Sequence, residues 1–266
     1  MMPFTTDSSF LNSVIDIVKE ASSLMLTDSF EISEKGSSSN IVTSSDMAVQ
    51  DFLCKRLSEL LPGSGFLCEE KDVRDTSHEY TWIIDPIDGT CNYSRGISMC
   101  AICVGLKHNL NMEIGVVYLP MSDELFYAQK GKGAFLNGHE IHVSDRPFNQ
   151  AVFCTALPVY HKEYAEVCSD IMVDVFKKCN DIRRMGACAP ELCYTAMGRC
   201  EMYFEYLLSP WDFAAASLIL TEAGGVVSDS NGKPLTYTEG CGVIAANNAE
   251  NHKQLAEIIK KHIGNQ

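Results

Sequence analysis

Apolar residues in the first quarter of the chain recur every three or four positions, which is the spacing of one face of an α-helix. A first helix is predicted after Ser8-Ser9, and a second after 44–46, ending at Pro62-Gly63. The polar stretch 34–40 between them predicts a mobile loop. The apolar faces are formed by Phe10, Leu11, Val14, Ile15, Val18, Ala21 and Met25, and by Val49, Phe52, Leu53, Leu57 and Leu60.

The pattern changes between Tyr80 and about Ser144, where short apolar runs are separated by Gly, Pro and Asn. Runs of this length with such boundaries predict strands joined by turns. Examples are 115–119, 125–129 and 134–136, the last of which precedes the turn sequence Asn137-Gly138.

Beyond Pro147, predicted strands and helices alternate, which implies parallel strands joined by helical crossovers. The change of rhythm near 144–150 divides the chain into two predicted units, 1–146 and 147–266. Strands are predicted at 152–157, 182–185, 202–206 and 243–246, and helices up to about 178, through 193, over 211–223 and at the end of the chain.

Composition narrows the possible functions. The 266 residues are 46% hydrophobic, which is enough to bury a large core. The net charge is −14 and no basic run is present, so binding of nucleic acid through its phosphates is not expected. No run approaches the roughly 18 apolar residues of a membrane helix, so no membrane partner is expected. No basic and apolar N-terminal segment predicts a signal peptide.

The twelve cysteines are too sparse for a secreted disulfide scaffold, and we interpret them as reduced thiols of a cytoplasmic protein. Cys100 and Cys103 form a Cys-x-x-Cys motif, but they lie in an apolar run that predicts a buried strand. Positions three apart on a strand point to opposite faces, so the two sulfurs could not bind one metal ion. A zinc or redox module is therefore disfavoured.

The segment 82–92 is the most informative part of the chain. Trp82-Ile83-Ile84 predicts a buried strand, which leads into Asp85 and Asp88. A proline between them ends the strand, and the following glycine allows a tight turn. Two carboxylates on a short loop at a strand end suit Mg²⁺, which binds few protein oxygens and keeps room for water and phosphate. Thr90 adds a hydroxyl that could orient or deprotonate a water.

Other acidic residues stand at element ends. Glu69 and Glu70 follow a short apolar strand, so at least one could share a site with Asp85. Asp212 lies in the first turn of an apolar helix, where a helix cap and a metal ligand are both possible roles. Asp46 has the same two possible roles at the start of the second helix.

Together these segments resemble the inositol monophosphatases, within the wider group of lithium-sensitive, Mg²⁺-dependent sugar phosphatases. The resemblance implies an α/β fold, a layered α/β/α/β/α sandwich with an antiparallel sheet in the first half and a mainly parallel sheet in the second. It also implies a homodimer and inhibition by lithium. The matching segments, in the family's order, are Ile41-Val42-Thr43-Ser44-Ser45-Asp46, Glu69-Glu70, Asp85-Pro86-Ile87-Asp88-Gly89-Thr90-Cys91-Asn92, Trp211-Asp212-Phe213-Ala214-Ala215 and Thr221-Glu222-Ala223-Gly224-Gly225.

The resemblance implies two to three Mg²⁺ ions per site. Glu69, Asp85 and the carbonyl of Ile87 would hold one ion. Asp85, Asp88 and Asp212 would hold the second, and a third, weaker ion would bind near Glu69 when substrate is present.

The resemblance also assigns roles around the substrate. Thr90, hydrogen-bonded to Asp46, would help to activate the metal-bound water beside Glu69, and the N–H groups of Gly89 and Thr90 would contact the phosphate. Glu205, Asp212 and the backbone around Gly186 would contact the sugar hydroxyls. Ala187 stands where the family commonly has serine or threonine, which places a strict preference for inositol in doubt.

The expected function is hydrolysis of a phosphate monoester, with myo-inositol monophosphate as the favoured substrate. A metal-activated water would attack without a phosphoenzyme, because two ions can neutralise the dianionic ester and stabilise the leaving alkoxide. His139 and His142 lie three apart in a probable strand and are interpreted as surface residues.

Several alternatives remain open. Fructose 1,6-bisphosphate, histidinol phosphate and other sugar phosphates are substrates of close relatives of the family. A haloacid dehalogenase-type phosphatase would form a phospho-aspartate, but its two aspartates are separated by one residue instead of two. A non-catalytic metal-binding or partner-binding protein is a further alternative.

Overall fold

The computed structural model describes residues 8–26, 29–37 and 40–264. Within that part of the chain, no helix is long and apolar enough to cross a membrane. The helices are α1 (Ser8–Met25), α2 (Ser44–Leu60), α3 (Thr90–Tyr93), α4 (Ala165–Phe176), α5 (Cys188–Ala196), α6 (Pro210–Glu222) and α7 (Ala249–Ile263). The strands are β1 (Ile32–Ser37), β2 (Asn40–Thr43), β3 (Gly65–Cys68), β4 (Arg74–Asp75), β5 (Tyr80–Asp88), β6 (Ala101–His108), β7 (Asn111–Leu119), β8 (Glu124–Gln129), β9 (Ala134–Leu136), β10 (His139–Ile141), β11 (Val152–Thr155), β12 (Asp181–Arg183), β13 (Met202–Leu208), β14 (Val226–Asp229) and β15 (Cys241–Ala246).

The first large sheet has eight strands in the order β10-β9-β8-β7-β6-β5-β3-β4. Its neighbours are antiparallel except for β3 and β5, which run parallel. Cys100 packs in the core beneath α1 and α2, whereas Cys103 packs in the core on the opposite face, beneath α5 and α6. The two thiols of the Cys-x-x-Cys motif therefore lie on opposite faces, as predicted.

The second sheet has five strands in the order β12-β11-β13-β15-β14. It is mixed rather than mainly parallel, because β11 pairs in parallel with β12 and β13, whereas β15 pairs antiparallel with β13 and β14. Strand β14 was not predicted from the sequence. Helix α6 leads from β13 to β14, and β15 then inserts antiparallel between these two strands.

The helices and sheets stack in five layers, which confirms the layered α/β/α/β/α class. Helices α1 and α2 cover the outer face of the first sheet, and α5 and α6 lie between the two sheets. Helices α4 and α7 cover the outer face of the second sheet. The first sheet uses only residues before 146 and the second only residues after 147. The division into two units at this point stays a prediction.

The predicted mobile loop at 34–40 is wrong for its described part, where β1 and β2 form an antiparallel hairpin. Residues 38 and 39 lie outside the described residues. The sequence pattern missed this hairpin because Ile32, Ser33 and Glu34 are all exposed. A ribbon that buries no apolar face shows none of the alternation by which a strand is predicted.

Helix α6 rests directly on the backbone of the first sheet. Gly105 of β6 and Gly115 of β7 are register partners. A Cβ atom on Gly115 would lie 2.3 Å from the carbonyl oxygen of Ala215, so only glycine leaves room for the helix. This close approach fixes the height of α6 above the sheet, and with it the position of Asp212 in the first turn of the helix.

Candidate active site

Parallel pairing of β3 with β5 brings the two acidic strand ends together. Cys68 is the register partner of Ile84, and the Glu69 N–H donates to the Ile84 carbonyl over 3.2 Å. Glu69, just beyond β3, therefore lies beside Asp85 at the same edge of the sheet. The side chain of Glu69 keeps 24% exposure, whereas Asp85 is only 1% exposed.

The Asp85–Asp88 segment departs from regular pairing. Asp85 is opposite Cys103 and Asp88 is opposite Ala101, so β5 carries one extra residue, a β-bulge. The Asp85 carboxylate accepts the Ile87 N–H at 2.9 Å, which fixes the turn. Gly89 follows with φ +87°, a left-handed conformation that favours glycine. The bulge and turn thus hold both carboxylates at the end of the strand.

Asp88 is held by the N-terminus of α5. The backbone N–H of Ala189 donates to one carboxylate oxygen at 2.6 Å, and that of Cys188 to the other at 3.3 Å. Burial nevertheless raises the pKa of Asp88 to about 7, since these two bonds offset only part of the loss of hydration. No local sequence pattern indicates this contact, because its partners lie about a hundred positions apart.

Asp212 serves as a helix cap and also faces the other carboxylates. Its Oδ2 accepts the Ser209 N–H at 2.7 Å, completing a capping box at the start of α6. Burial raises its pKa well above the usual range, and the negative charges of Asp88 and Glu69 raise it further. The pKa of Asp85 is raised by burial and by Glu69, Asp88 and Asp212. The structure therefore brings these four acidic side chains within electrostatic range of each other.

Asp46 likewise has both of the roles left open by the sequence. It forms the capping box of α2, where its Oδ2 accepts the Thr43 hydroxyl at 2.5 Å. Its Oδ1 accepts the Thr90 hydroxyl at 3.1 Å. The Thr90 hydroxyl also lies 3.1 Å from the carbonyl oxygen of Ile87. The predicted Thr90–Asp46 hydrogen bond is therefore present, and the Ile87 carbonyl faces the same hydroxyl.

Lys35 is a residue of the site that the sequence analysis did not single out. Its Nζ lies 3.1 Å from Glu69 and 2.5 Å from Glu70. Burial lowers the pKa of Lys35, but the two carboxylates more than offset this, so the pKa is raised. Glu70 points away from solvent, and Gln50 pins its backbone through bonds of 2.6 and 2.8 Å. Only pairing of β1 with β2 brings this lysine to the cluster.

Two of the regions assigned to the substrate, residues 186–189 and Glu205, are here called the wall. A Cβ on Gly89 would lie 3.0 Å from the Cβ of Ala187, so the turn at Gly89 touches the first of these regions. Glu205 accepts the Tyr203 hydroxyl at 2.7 Å, and burial raises its pKa to about 7. The charge of Glu205 also raises the pKa of Asp88, so the two carboxylates lie within electrostatic range of each other.

The donor set fits Mg²⁺. Among the described residues, no three His, Cys, Asp or Glu side chains form a ready-made cage for a metal ion. Mg²⁺ does not need one, because it binds through a few carboxylate oxygens and keeps several waters. Buried carboxylates whose pKa values are raised by burial and by mutual repulsion, such as Asp85 and Asp212, would be stabilised by a divalent cation.

We predict that the metal-free protein loses stability as the pH rises from about 5 to about 8. Burial raises the pKa of Asp88 and Glu205 to about 7 and that of Glu191 to about 8. Between the usual carboxyl range and these values, the folded state binds more protons than the unfolded chain. The stabilisation is therefore present at low pH and is lost as the pH rises.

Urea denaturation in EDTA across this pH range measures the effect. Glu191→Gln should make the fall shallower, whereas Glu239→Gln, on the exposed surface, should leave it unchanged. A metal-free protein that becomes more stable toward the higher pH would contradict the prediction.

Comparisons with known proteins show the family and the fold of this chain. The model of the inositol monophosphatase family matches residues 4–264. Nus factor SuhB of Escherichia coli (strain K12) is 37% identical over 207 residues, which are 77% of each chain. The extragenic suppressor protein suhB of Bartonella henselae superimposes with a TM-score of 0.89 at 31% identity, covering 96% of this chain and 100% of that one. Inositol monophosphate-bound SaIMPase-II superimposes with a TM-score of 0.81 at 25% identity, covering 96% and 95%. Since the family model spans nearly the whole sequence, this chain belongs to the inositol monophosphatase family.

Proposed function

We propose that this protein is a Mg²⁺-dependent phosphomonoesterase that hydrolyses myo-inositol monophosphate. The observation that carries the proposal is the convergence of Glu69, Asp85, Asp88 and Asp212, from three separate parts of the fold, beside the Thr90–Asp46 pair. Such a concentration of buried negative charge is costly without cations, and it is typical of a functional site. The structure of a family member with inositol monophosphate bound supports the choice of substrate.

Two groups of residues in this chain would act on the phosphate ester: those that hold Mg²⁺ and those that contact the phosphate. Glu69, Asp85, Asp88, Asp212 and the Ile87 carbonyl would hold Mg²⁺. When bound, Mg²⁺ would neutralise the phosphate oxygens and lower the pKa of water. The N–H groups at Gly89 and Thr90, at the start of α3, would face the phosphate. Because α3 is only four residues long, these N–H groups themselves, rather than a helix dipole, would contact the anion.

Thr90 and Asp46 would orient the attacking water. Asp46 is 0% exposed and burial raises its pKa, so it is a strong acceptor for the Thr90 proton. When the Thr90 hydroxyl donates its proton to Asp46, the Thr90 oxygen can accept a hydrogen bond from the attacking water. That bond would turn a lone pair of the water oxygen toward the phosphorus atom. No covalent nucleophile is required.

The test is phosphate release from a substrate panel, with and without Mg²⁺, followed by titration with lithium. The panel contains inositol 1-phosphate, fructose 1,6-bisphosphate, histidinol phosphate and adenosine 3′,5′-bisphosphate. Mg²⁺-dependent, lithium-sensitive release with the highest kcat/KM for inositol 1-phosphate is the expected result. Release that is fastest from another compound would replace the substrate, and release from none would overturn the proposal.

Thr90→Ala should lower kcat by about 10²-fold, because it removes the hydroxyl that orients the water. The Mg²⁺ concentration for half-maximal activity should change much less, since the carboxylates remain. Thr90→Ser keeps the hydroxyl and should retain most of the activity. If Thr90→Ala instead weakens Mg²⁺ binding and leaves kcat intact, Thr90 is a structural residue of the turn.

A non-catalytic role is the second candidate, because a relative that covers three quarters of this chain is named a Nus factor. The two functions can be separated experimentally. An active protein in the panel supports catalysis, whereas binding of Mg²⁺ without turnover of any ester favours the non-catalytic role.

A further inference from the structure

The peptide bond between Met185 and Gly186 is held at both ends by side chains. The Gly186 N–H donates to Oε1 of Glu191 at 2.9 Å, and the carbonyl of Met185, on the other edge of the same peptide, accepts from Asn92 Nδ2 at 2.8 Å. Oε1 of Glu191 also accepts the Met185 N–H at 2.7 Å. Because N–H and C=O of one peptide point in opposite directions, these two side chains clamp its plane.

Burial of Glu191 in this position costs stability. The residue is 1% exposed, and its Oε2 is buried with no hydrogen-bond partner among the described residues. A buried polar atom without a partner costs stability. A residue retained against such a cost is a candidate for a functional role.

Asn92 forms the other half of the clamp, on the side of the turn at Gly89 and Thr90. It lies in α3, two positions after Thr90, and its amide also donates to the Met99 carbonyl at 2.7 Å. Gly186 has φ +86°, and a Cβ there would lie 3.3 Å from the Asn92 amide nitrogen. The amide therefore packs directly against the glycine, so the position of α3 determines the position of the 185–186 peptide.

The clamped 185–186 peptide lies at the start of the wall, next to the turn at Gly89 and Thr90 that would bind the phosphate. The next residue, Ala187, touches the Gly89 turn, and the N–H groups of Cys188 and Ala189 hold Asp88. Glu205 is close enough for its charge to raise the pKa of Glu191. If the phosphate binds at Gly89 and Thr90, as the proposed function has it, the ester alcohol would lie against this wall, between Gly186 and Glu205.

We propose that Asn92 and Glu191 are positioning residues for the alcohol part of the substrate. By fixing the 185–186 peptide they set the distance between the phosphate turn and the wall that contacts the hydroxyls. This inference rests on the proposed function. It predicts that loss of the clamp weakens binding of a polyol phosphate but not of an ester whose alcohol carries no further hydroxyl.

The experiment compares KM for inositol 1-phosphate and for p-nitrophenyl phosphate at saturating Mg²⁺. Glu191→Leu should raise KM about tenfold for the first substrate and change it less than about twofold for the second. Glu191→Gln retains an oxygen that can accept both N–H bonds, so its KM should stay within about twofold of the wild-type value. If Glu191→Leu does not fold, Asn92→Ser tests the other end of the clamp with the same expected pattern.

Glu201→Leu is the matched control. Glu201 is also 1% exposed and its carboxylate accepts a backbone N–H, that of Val152, at 2.6 Å, but it holds the start of β11 rather than the wall. The Glu201→Leu substitution should lower the melting temperature and leave both KM values unchanged. Unchanged KM values in Glu191→Leu, or equal rises for both substrates, would overturn the clamp. A wild-type protein that hydrolyses neither ester would instead overturn the proposed function itself.

Discussion

Asp212→Asn is expected to lower kcat/KM by at least about 10³-fold while the protein remains folded. The substitution removes one negative charge from the cluster that would hold Mg²⁺, and an amide is a much weaker ligand for this hard cation. The fold should survive because the amide oxygen of asparagine can still accept the Ser209 N–H and cap α6. Asp88→Asn should have a similar effect, for the same loss of charge.

Two readouts separate loss of the metal from loss of the fold. In wild-type protein, Mg²⁺ should raise the melting temperature, because a ligand that binds only the folded state stabilises it. In Asp212→Asn this rise should be much smaller, whereas the melting temperature without metal should not fall. Near-normal turnover in the variant would remove Asp212 from the proposed ligand set.

The matched control is Asp229→Asn. Asp229 also accepts backbone N–H groups, those of Asn231 and Lys233 at 2.9 and 2.7 Å, but it lies at the end of β14 and not in the acidic cluster. Its substitution should leave kcat/KM and the effect of Mg²⁺ unchanged. A large loss of activity in this control would show that the assay reports on a general loss of folded protein rather than on loss of the metal.

Gly115→Ala is expected to destabilise the protein by about 2–3 kcal/mol or more. The added Cβ would lie 2.3 Å from the carbonyl oxygen of Ala215 and 3.1 Å from its carbonyl carbon. Both are backbone atoms of a buried helix, so no rotation of a side chain relieves the clash. Helix α6 must move away from β7, which opens the core between the sheets and displaces Asp212.

Thermal unfolding should show a fall of roughly 5–10 °C for Gly115→Ala. Any protein that remains folded should need more Mg²⁺ for half-maximal activity. Gly105→Ala is the control in the partner strand, where the nearest atom, at 2.6 Å, is the flexible end of Met112 and the helix backbone is 3.5 Å away. It should be clearly milder, and equal effects of the two substitutions would contradict the packing explanation.

Local patterns predicted much of the fold. The apolar faces of α1 and α2 were recognised from spacing alone, because a helix brings residues three and four apart onto one side. Two residues of the predicted α2 face, Phe52 and Leu60, are only partly buried, since the helix lies at the edge of its core. The β1–β2 hairpin was missed because Ile32, Ser33 and Glu34 are exposed, and β14 was missed because its pairing depends on β15, which lies further along the chain.

The sequence by itself determined which segment carries the expected chemistry: the spacing of Asp85 and Asp88, the turn between them and the hydroxyl of Thr90 lie within one short stretch. It also showed that Asp46 and Asp212 begin helices, although whether they cap or face a shared site was undetermined. Only the tertiary structure decided that they do both. The pairs Asp46–Thr90, Asp88–Ala189 and Asn92–Met185 join positions 44, 101 and 93 residues apart. Such contacts arise from how the two sheets and the helices between them pack, and no periodicity along the chain records that packing.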